Sequence, residues 1–372
     1  MHGVPMSAKE LKGVFDANDA AALASAGIEL GGVSRSATFI QQDNALLCAK
    51  SLAESVDIMS TAEALEKDPE ARAHYGKAFE ARGHDFPRDT EGGYFIRIKK
   101  GKKVELPIQA CLFLKRQNFK QKVHNIIVVE EGAQAYLITG CAASKAAHEG
   151  LHLGISEFFI KKGGHLNFTM IHSWREDISV KPMSIALVDE NATYVSNYIC
   201  LKPVRDITMY PTAVLRGKGG RAIFNSLVLS HPETLQDVGS RVIFEAPDTQ
   251  AQIIARAVSL GGKMVSRGHL QAKTPGVKAH LECRGLILSE KGTIQAVPEL
   301  ETDYRDVDMS HEAAIGRISK NEIEYLATRG MTQAEAQSVI IRGFMDVNIL
   351  GLPEVLQREI EALEEKTLQA TF

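Results

Sequence analysis

The sequence predicts a mainly β fold: a right-handed parallel β-helix held between α-helical regions at its two ends. Three observations predict it. From about residue 94 to 305, short β-rich runs alternate with turns of Gly, Asn, Asp and Lys. Between Gly132 and Gly219 those turns recur about every 29 residues, a period that belongs to solenoids. On either side lie Ala-, Leu-, Glu- and Lys-rich stretches that lack this rhythm and favour helix.

Composition narrows the class further. The 372 residues are 44% hydrophobic and 24% charged, which excludes global disorder. A net charge of −3 offers no basic field for nucleic acid or an anionic membrane. No apolar run approaches the roughly 20 residues of a membrane-spanning helix, and Met1-His2-Gly3-Val4 does not begin a signal peptide, so a cytoplasmic protein is expected. The five cysteines (Cys48, Cys111, Cys141, Cys200 and Cys283) are scattered and odd in number, which argues against a disulfide framework. No CxxC pair occurs, which excludes a self-contained zinc ribbon or ferredoxin site. Any cluster must gather ligands distant in sequence.

Residues 1–93 form the first zone. Stretches 7–25 and 44–67 read as helices, the second with Leu52, Val56, Ile58 and Met59 on its apolar side, and Gly83 to Pro87 marks a break. The zone reads as an accessory helical cap. Residues 94–305 form the β-helix core. Ile96-Arg97-Ile98-Lys99 alternates as a half-buried strand does, whereas Ala222-Ile223-Phe224-Asn225-Ser226-Leu227-Val228 is apolar enough to be covered on both faces. Stacked rungs bury a core that no single rung can bury, with a β-sandwich as the rival arrangement.

Residues 306–372 form a C-terminal helical domain. Glu322-Ile323-Glu324-Tyr325-Leu326-Ala327 is a helix that ends at Gly330, and Thr332 three before Glu335 is a capping box for the next. That helix carries Val339, Ile340, Ile341, Phe344 and Met345. Gly351-Leu352-Pro353 then precedes a last amphipathic helix over 354–365. Helices this few bury little among themselves, so they pack on the solenoid, on a partner, or on both.

Cys283 on a late rung, with His311 and Glu312 where the last strand gives way to the tail, offers a thiolate, an imidazole and a carboxylate. All three are competent iron ligands of falling softness. Against this, a cysteine in a β-run is more often core filler, and a His-Glu pair at a strand end is more often a solvated turn or cap.

The stretch Ser310-His311-Glu312-Ala313-Ala314-Ile315-Gly316-Arg317-Ile318 resembles a motif of the SufB/SufD family of iron–sulfur cluster assembly scaffolds. Glu322 to Leu326, Arg329-Gly330-Met331, Ala334-Glu335-Ala336 and Ile340-Ile341-Arg342-Gly343-Phe344 resemble the tail of that family, and Gly140-Cys141, Leu151-His152, Glu157 and Trp174 are set as in its SufB branch. The resemblance covers about 123–350.

It implies a scaffold rather than an enzyme, with an iron–sulfur cluster (4Fe-4S or 2Fe-2S) on Cys283, His311 and Glu312, and with sulfur entering at Cys141. It also implies passage of that sulfur through the solenoid interior toward Cys283. Implied partners are a SufC-like ATPase docked on the C-terminal helices, a second copy of the chain joined through the last rungs, and apoproteins that receive the cluster. The chain has no phosphate loop of its own: Arg216-Gly217-Lys218-Gly219-Gly220 is only a Gly-rich turn, so nucleotide belongs to the ATPase. Ala314 replaces the threonine of the motif, Met309 stands where many SufD proteins have a cysteine, and Ser310 precedes the histidine as in SufD. Phe113 and Lys115 replace an Arg and an Asn of SufB. The mixture resembles an undifferentiated member that serves as both halves of the scaffold. A non-catalytic adaptor and a β-helical carbohydrate-active enzyme are the alternatives from other classes.

Overall fold

The computed structural model describes residues 11–345 except 12, 32 and 33. The expected helix over 354–365 lies outside them. The chain winds as a solenoid whose turns each give one strand to each of two sheets. The first sheet has ten strands, from Ala45–Ser51 and Ala37–Gln42 at one end to Val277–Ile287 and Val307–Gly316 at the other. The second has eleven, running from Val56–Ser60 and Tyr94–Ile98 to Lys263–Ala272 and Thr293–Thr302. From Ala37–Gln42 in the first sheet and Tyr94–Ile98 in the second, rung pairs with rung in parallel to the far end, which excludes the sandwich. In the second sheet two rungs are split in two, and Pro182 and Pro211 stand at the splits because proline cannot donate to a ladder.

The repeat read from the sequence is a column of corner turns. Gly132, Gly163, Asn191, Gly219, Asp248 and Gly276 all take positive φ, between 55° and 75°. Glycine adopts this conformation freely, and Asn and Asp tolerate it better than other residues. Each corner bonds the next: Gly132 N–H donates to Lys162 O, Gly163 N–H to Glu190 O, and Asn191 N–H to Lys218 O, at 2.8–2.9 Å. Gly219 belongs to this column, so the Gly-rich stretch 216–220 is a corner.

Side chains alternate across each strand. The inward set forms one core along the coil, which contains Phe39, Tyr94, Phe158, Tyr194, Phe244, Leu281, Cys141, Cys200 and Cys283. Outward apolar side chains are covered by short helices. Ala17–Ser25 and the turn after it lie on the first sheet near Ile40, Phe113 and Ala142. Gln333–Met345 covers Ile138, Ile171, Ile199, Leu227 and Leu286 farther along the same sheet.

On the second sheet, Thr61–Lys67, Pro69–His74 and Lys77–Glu80 pack over Phe95, Ile126, Val128 and Phe159. A carboxylate anchors them. Glu157, wholly buried, accepts hydrogen bonds from Gly76 N–H at 2.6 Å and Ala78 N–H at 2.7 Å, and lies 2.7 Å from His124 Nε2.

Two expectations of helix are corrected. Stretch 44–67 is helical only from Thr61; before it stand Ala45–Ser51 and Val56–Ser60. Asp43 and Asn44 make a two-residue hairpin turn, with Asp43 at φ 53°, and pairing with Ala37–Gln42 overrides the helix propensity of Ala and Leu. Beyond residue 306 the chain stays extended through Val307–Gly316, and helix begins at Lys320 behind a Ser319–Glu322 capping box.

The two ends of the coil differ. Antiparallel strands close the N-terminal end. At the other end, Thr293–Thr302 and Val307–Gly316 have no further strand beyond them among the described residues. Leu300 and Ile315 there are 40% and 39% exposed.

Candidate functional site

Register places the residues singled out by the sequence. In Val277–Ile287 the odd positions face the interior, Cys283 among them. It lies between Ala255 on the preceding rung and Ala313 on the following one, both small. Burial pushes its thiol up, offset in part by a hydrogen bond to Ser266 from the opposite sheet. His311 pairs with Leu281 and shares its inward face, one rung beyond Cys283 and two positions along. Its Nε2 is buried and has no hydrogen-bond partner. The open end of the coil thus carries a thiol and an unpartnered imidazole nitrogen on one interior face.

Glu312 does not join them. Adjacent residues of a strand point to opposite faces, so Glu312 pairs with Glu282 on the outer surface. There Arg284 reaches both carboxylates, at 3.1 Å from Glu282 and 3.2 Å from Glu312, and Arg256 also contacts Glu282. His280, with Nδ1 2.9 Å from Ser310 Oγ, completes a group with Glu282 and Glu312 whose ligand atoms lie within 4.8 Å of one another. Sequence reasoning missed His280 and Glu282. Their signal was the spacing of two from His280 to Glu282, which puts both on one face of a strand.

Cys141, on Gln134–Ala143, lies in the interior toward the N-terminal end and is 1% exposed, its thiol pushed up by burial. His172 is its register partner on the next rung, and Cys200 is the partner of His172 on the rung after. Nδ1 of His172 is 3.1 Å from the Tyr198 hydroxyl, and its Nε2 has no partner. Burial, with His152 adding to it, drives the His172 pKa well down. The His152 pKa is lowered to about 3 by burial, and its Nδ1 is held by Gln121 Oε1 at 2.8 Å. Trp174 lies 5.6 Å from the His172 ring, and its indole N–H is unpartnered.

An interior column runs from Thr139 beside Cys141 through Met170, Tyr198, Ser226 and Ala255 to Cys283. Five rungs at about 4.8 Å each make that route roughly 24 Å long. All five cysteines are buried thiols. Among the described residues no helix is long and apolar enough to cross a membrane.

Residues 112–344 match the family model of the SUF system FeS cluster assembly SufBD core domain. The chain is 46% identical over 338 residues to an iron–sulfur cluster assembly SufBD family protein of Archaeoglobus fulgidus, covering 90% of this chain and 91% of that one. It is 40% identical over 344 residues to a protein of the same description from Methanothermobacter thermautotrophicus, covering 90% and 84%. It is 30% identical over 312 residues to the iron–sulfur cluster assembly protein SufB of Bacillus subtilis, covering 81% and 66%.

Proposed function

The chain belongs to the SufBD family of iron–sulfur cluster assembly proteins, and from that premise we propose that it is a scaffold on which a cluster is built at Cys283 and His311 before release to apoproteins. The carrying observation is the shared interior face of those two residues at the open end of the coil, with His311 Nε2 left unpartnered. A thiolate and an imidazole hold iron less firmly than four thiolates, which suits a site that must let its cargo go. Glu312, on the outer face, joins them only if the last rung turns, and ATP-driven movement of a partner is the source of that turn.

One chain supplies too few ligands to close a site, so the scaffold is a homodimer joined at the open end. Unpaired strand edges with Leu300 and Ile315 exposed beside them favour pairing there, and a two-fold axis doubles the ligand set. The SufC-like ATPase docks on the C-terminal helices, where Tyr325 and Val339 remain 59% and 42% exposed after Ile341 and Met345 are buried on the solenoid. Sulfur enters at Cys141 and follows the interior column. The coil is right-handed, the hand that parallel crossover connections take. Five thiols and no disulfide fit a cytoplasmic home.

A single experiment tests the set. The full chain is reconstituted anaerobically with iron and sulfide, then sized by mass with and without a SufC-type ATPase. Cluster absorbance is expected on a species of twice the chain mass that grows further with the ATPase. A colourless chain ends the scaffold reading, and a coloured monomer ends the dimer.

A further inference from the structure

We propose that the outer face of the last rungs is a site for a divalent first-row metal ion, of the Mn²⁺ and Fe²⁺ class, held by His280, Glu282 and Glu312. This goes beyond the cluster reading, whose thiol and imidazole lie on the inner face. His280 and Glu282 stand two apart on Val277–Ile287 and share its outer side. Glu312 is the register partner of Glu282 on Val307–Gly316. The ligand atoms of the three all lie within 4.8 Å of one another, so small side-chain rotations bring a single ion into contact with each. An imidazole nitrogen with two carboxylate oxygens suits borderline and hard divalent ions, and water completes the coordination.

The surroundings support the three ligands. All stand on sheet backbone paired rung to rung, which fixes their spacing. Ser310 Oγ lies 2.9 Å from His280 Nδ1 and can accept its N–H, the outer-partner arrangement that leaves Nε2 to ligate. Arg256, its side chain 14% exposed, holds Glu282 from the preceding rung. A groove of about 610 Å³, lined in part by Gln252, His280, Asp308 and Ser310, opens the site to solvent.

Arg284 is the competitor for the two carboxylates. It bridges Glu282 and Glu312 and draws them together with a single positive charge. Its side chain is 40% exposed, and ion pairs that open to water are weak. A divalent ion bound directly by two carboxylates and an imidazole displaces it into solvent, while Arg256 stays to balance the charge. As long as the ion is held, Glu312 is kept on the outer face, away from Cys283.

In the test, Mn²⁺ alone is titrated into the full chain without iron or sulfide, and the free ion is read by its paramagnetic resonance signal. Mn²⁺ prefers oxygen and nitrogen, so it avoids the thiol of the inner face. Saturation at one ion per chain is expected. His280→Ala is expected to weaken binding at least about tenfold, and Glu282→Gln repeats the test at a second ligand should the first variant fail to fold. Arg284→Ala is expected to tighten binding about two- to fivefold, the reverse of what loss of a merely structural contact would do. Parent affinity in His280→Ala and Glu282→Gln would mark adventitious surface binding and overturn the site, as would a parent chain that leaves all the Mn²⁺ free. A loss in Cys283→Ala equal to that in His280→Ala would put the ion on the inner face and overturn it too. Failure of this site leaves the cluster at Cys283 standing, and a colourless reconstitution leaves this site standing.

Discussion

Replacing Cys283 with alanine is expected to abolish the visible absorbance and the bound iron of the reconstituted chain while the coil stays folded. The thiol faces an interior bounded by Ala255 and Ala313, so its removal leaves a small void and no unpartnered charge. As filler, Cys283→Ala would cost roughly 1 kcal/mol and leave iron content untouched. As a ligand, it is the softest donor of the set and the hardest to replace. The double change His311→Ala with Glu312→Ala is expected to give the same loss. Iron and sulfide stoichiometry equal to the parent in either variant would refute the site.

Glu157→Ala is expected to give the largest loss of stability. Glu157 and His124 are both fully buried, and the carboxylate also takes the N–H groups of Gly76 and Ala78. Removing it strands three polar groups beneath the helices of 61–80, for a cost of about 3–5 kcal/mol. Hydrogen exchange is the direct measurement, with protection expected to fall first over 61–86 and the outer face of the second sheet. Glu157→Gln keeps one acceptor and is expected to lose less. A melting temperature within about 1 °C of the parent for Glu157→Ala would remove the anchor role.

How much of this was legible in the sequence depends on the range of the signal. The corner column was readable because positive φ restricts composition: Gly132, Gly163, Asn191 and Gly219 announce themselves one by one. Local capping was readable for the same reason, and Thr332 and Glu335 do bond each other as their spacing required. Stretch 44–67 was misread because its helix-forming residues are held extended by a neighbouring strand, a cause that lies outside the stretch.

The site was readable in part. Adjacency of His311 and Glu312 in the chain invited a shared role, yet the pleat turns them to opposite faces, and only register reveals His280 and Glu282 beside Glu312. His172 carried no signal, since its place one rung from Cys141, 31 positions earlier, comes only from register.

The unlike ends of the coil set an order of events during synthesis. Chains emerge N-terminus first. The closed end is therefore complete while later rungs are still being made, and each new rung finds its template about 29 residues back rather than across the whole chain. Pairing at such short separation is fast for a β protein. The unpaired edge at Thr293–Thr302 and Val307–Gly316 is the last of the described coil to be made. It is thus exposed for the shortest time during synthesis, and a chain truncated before it never acquires it.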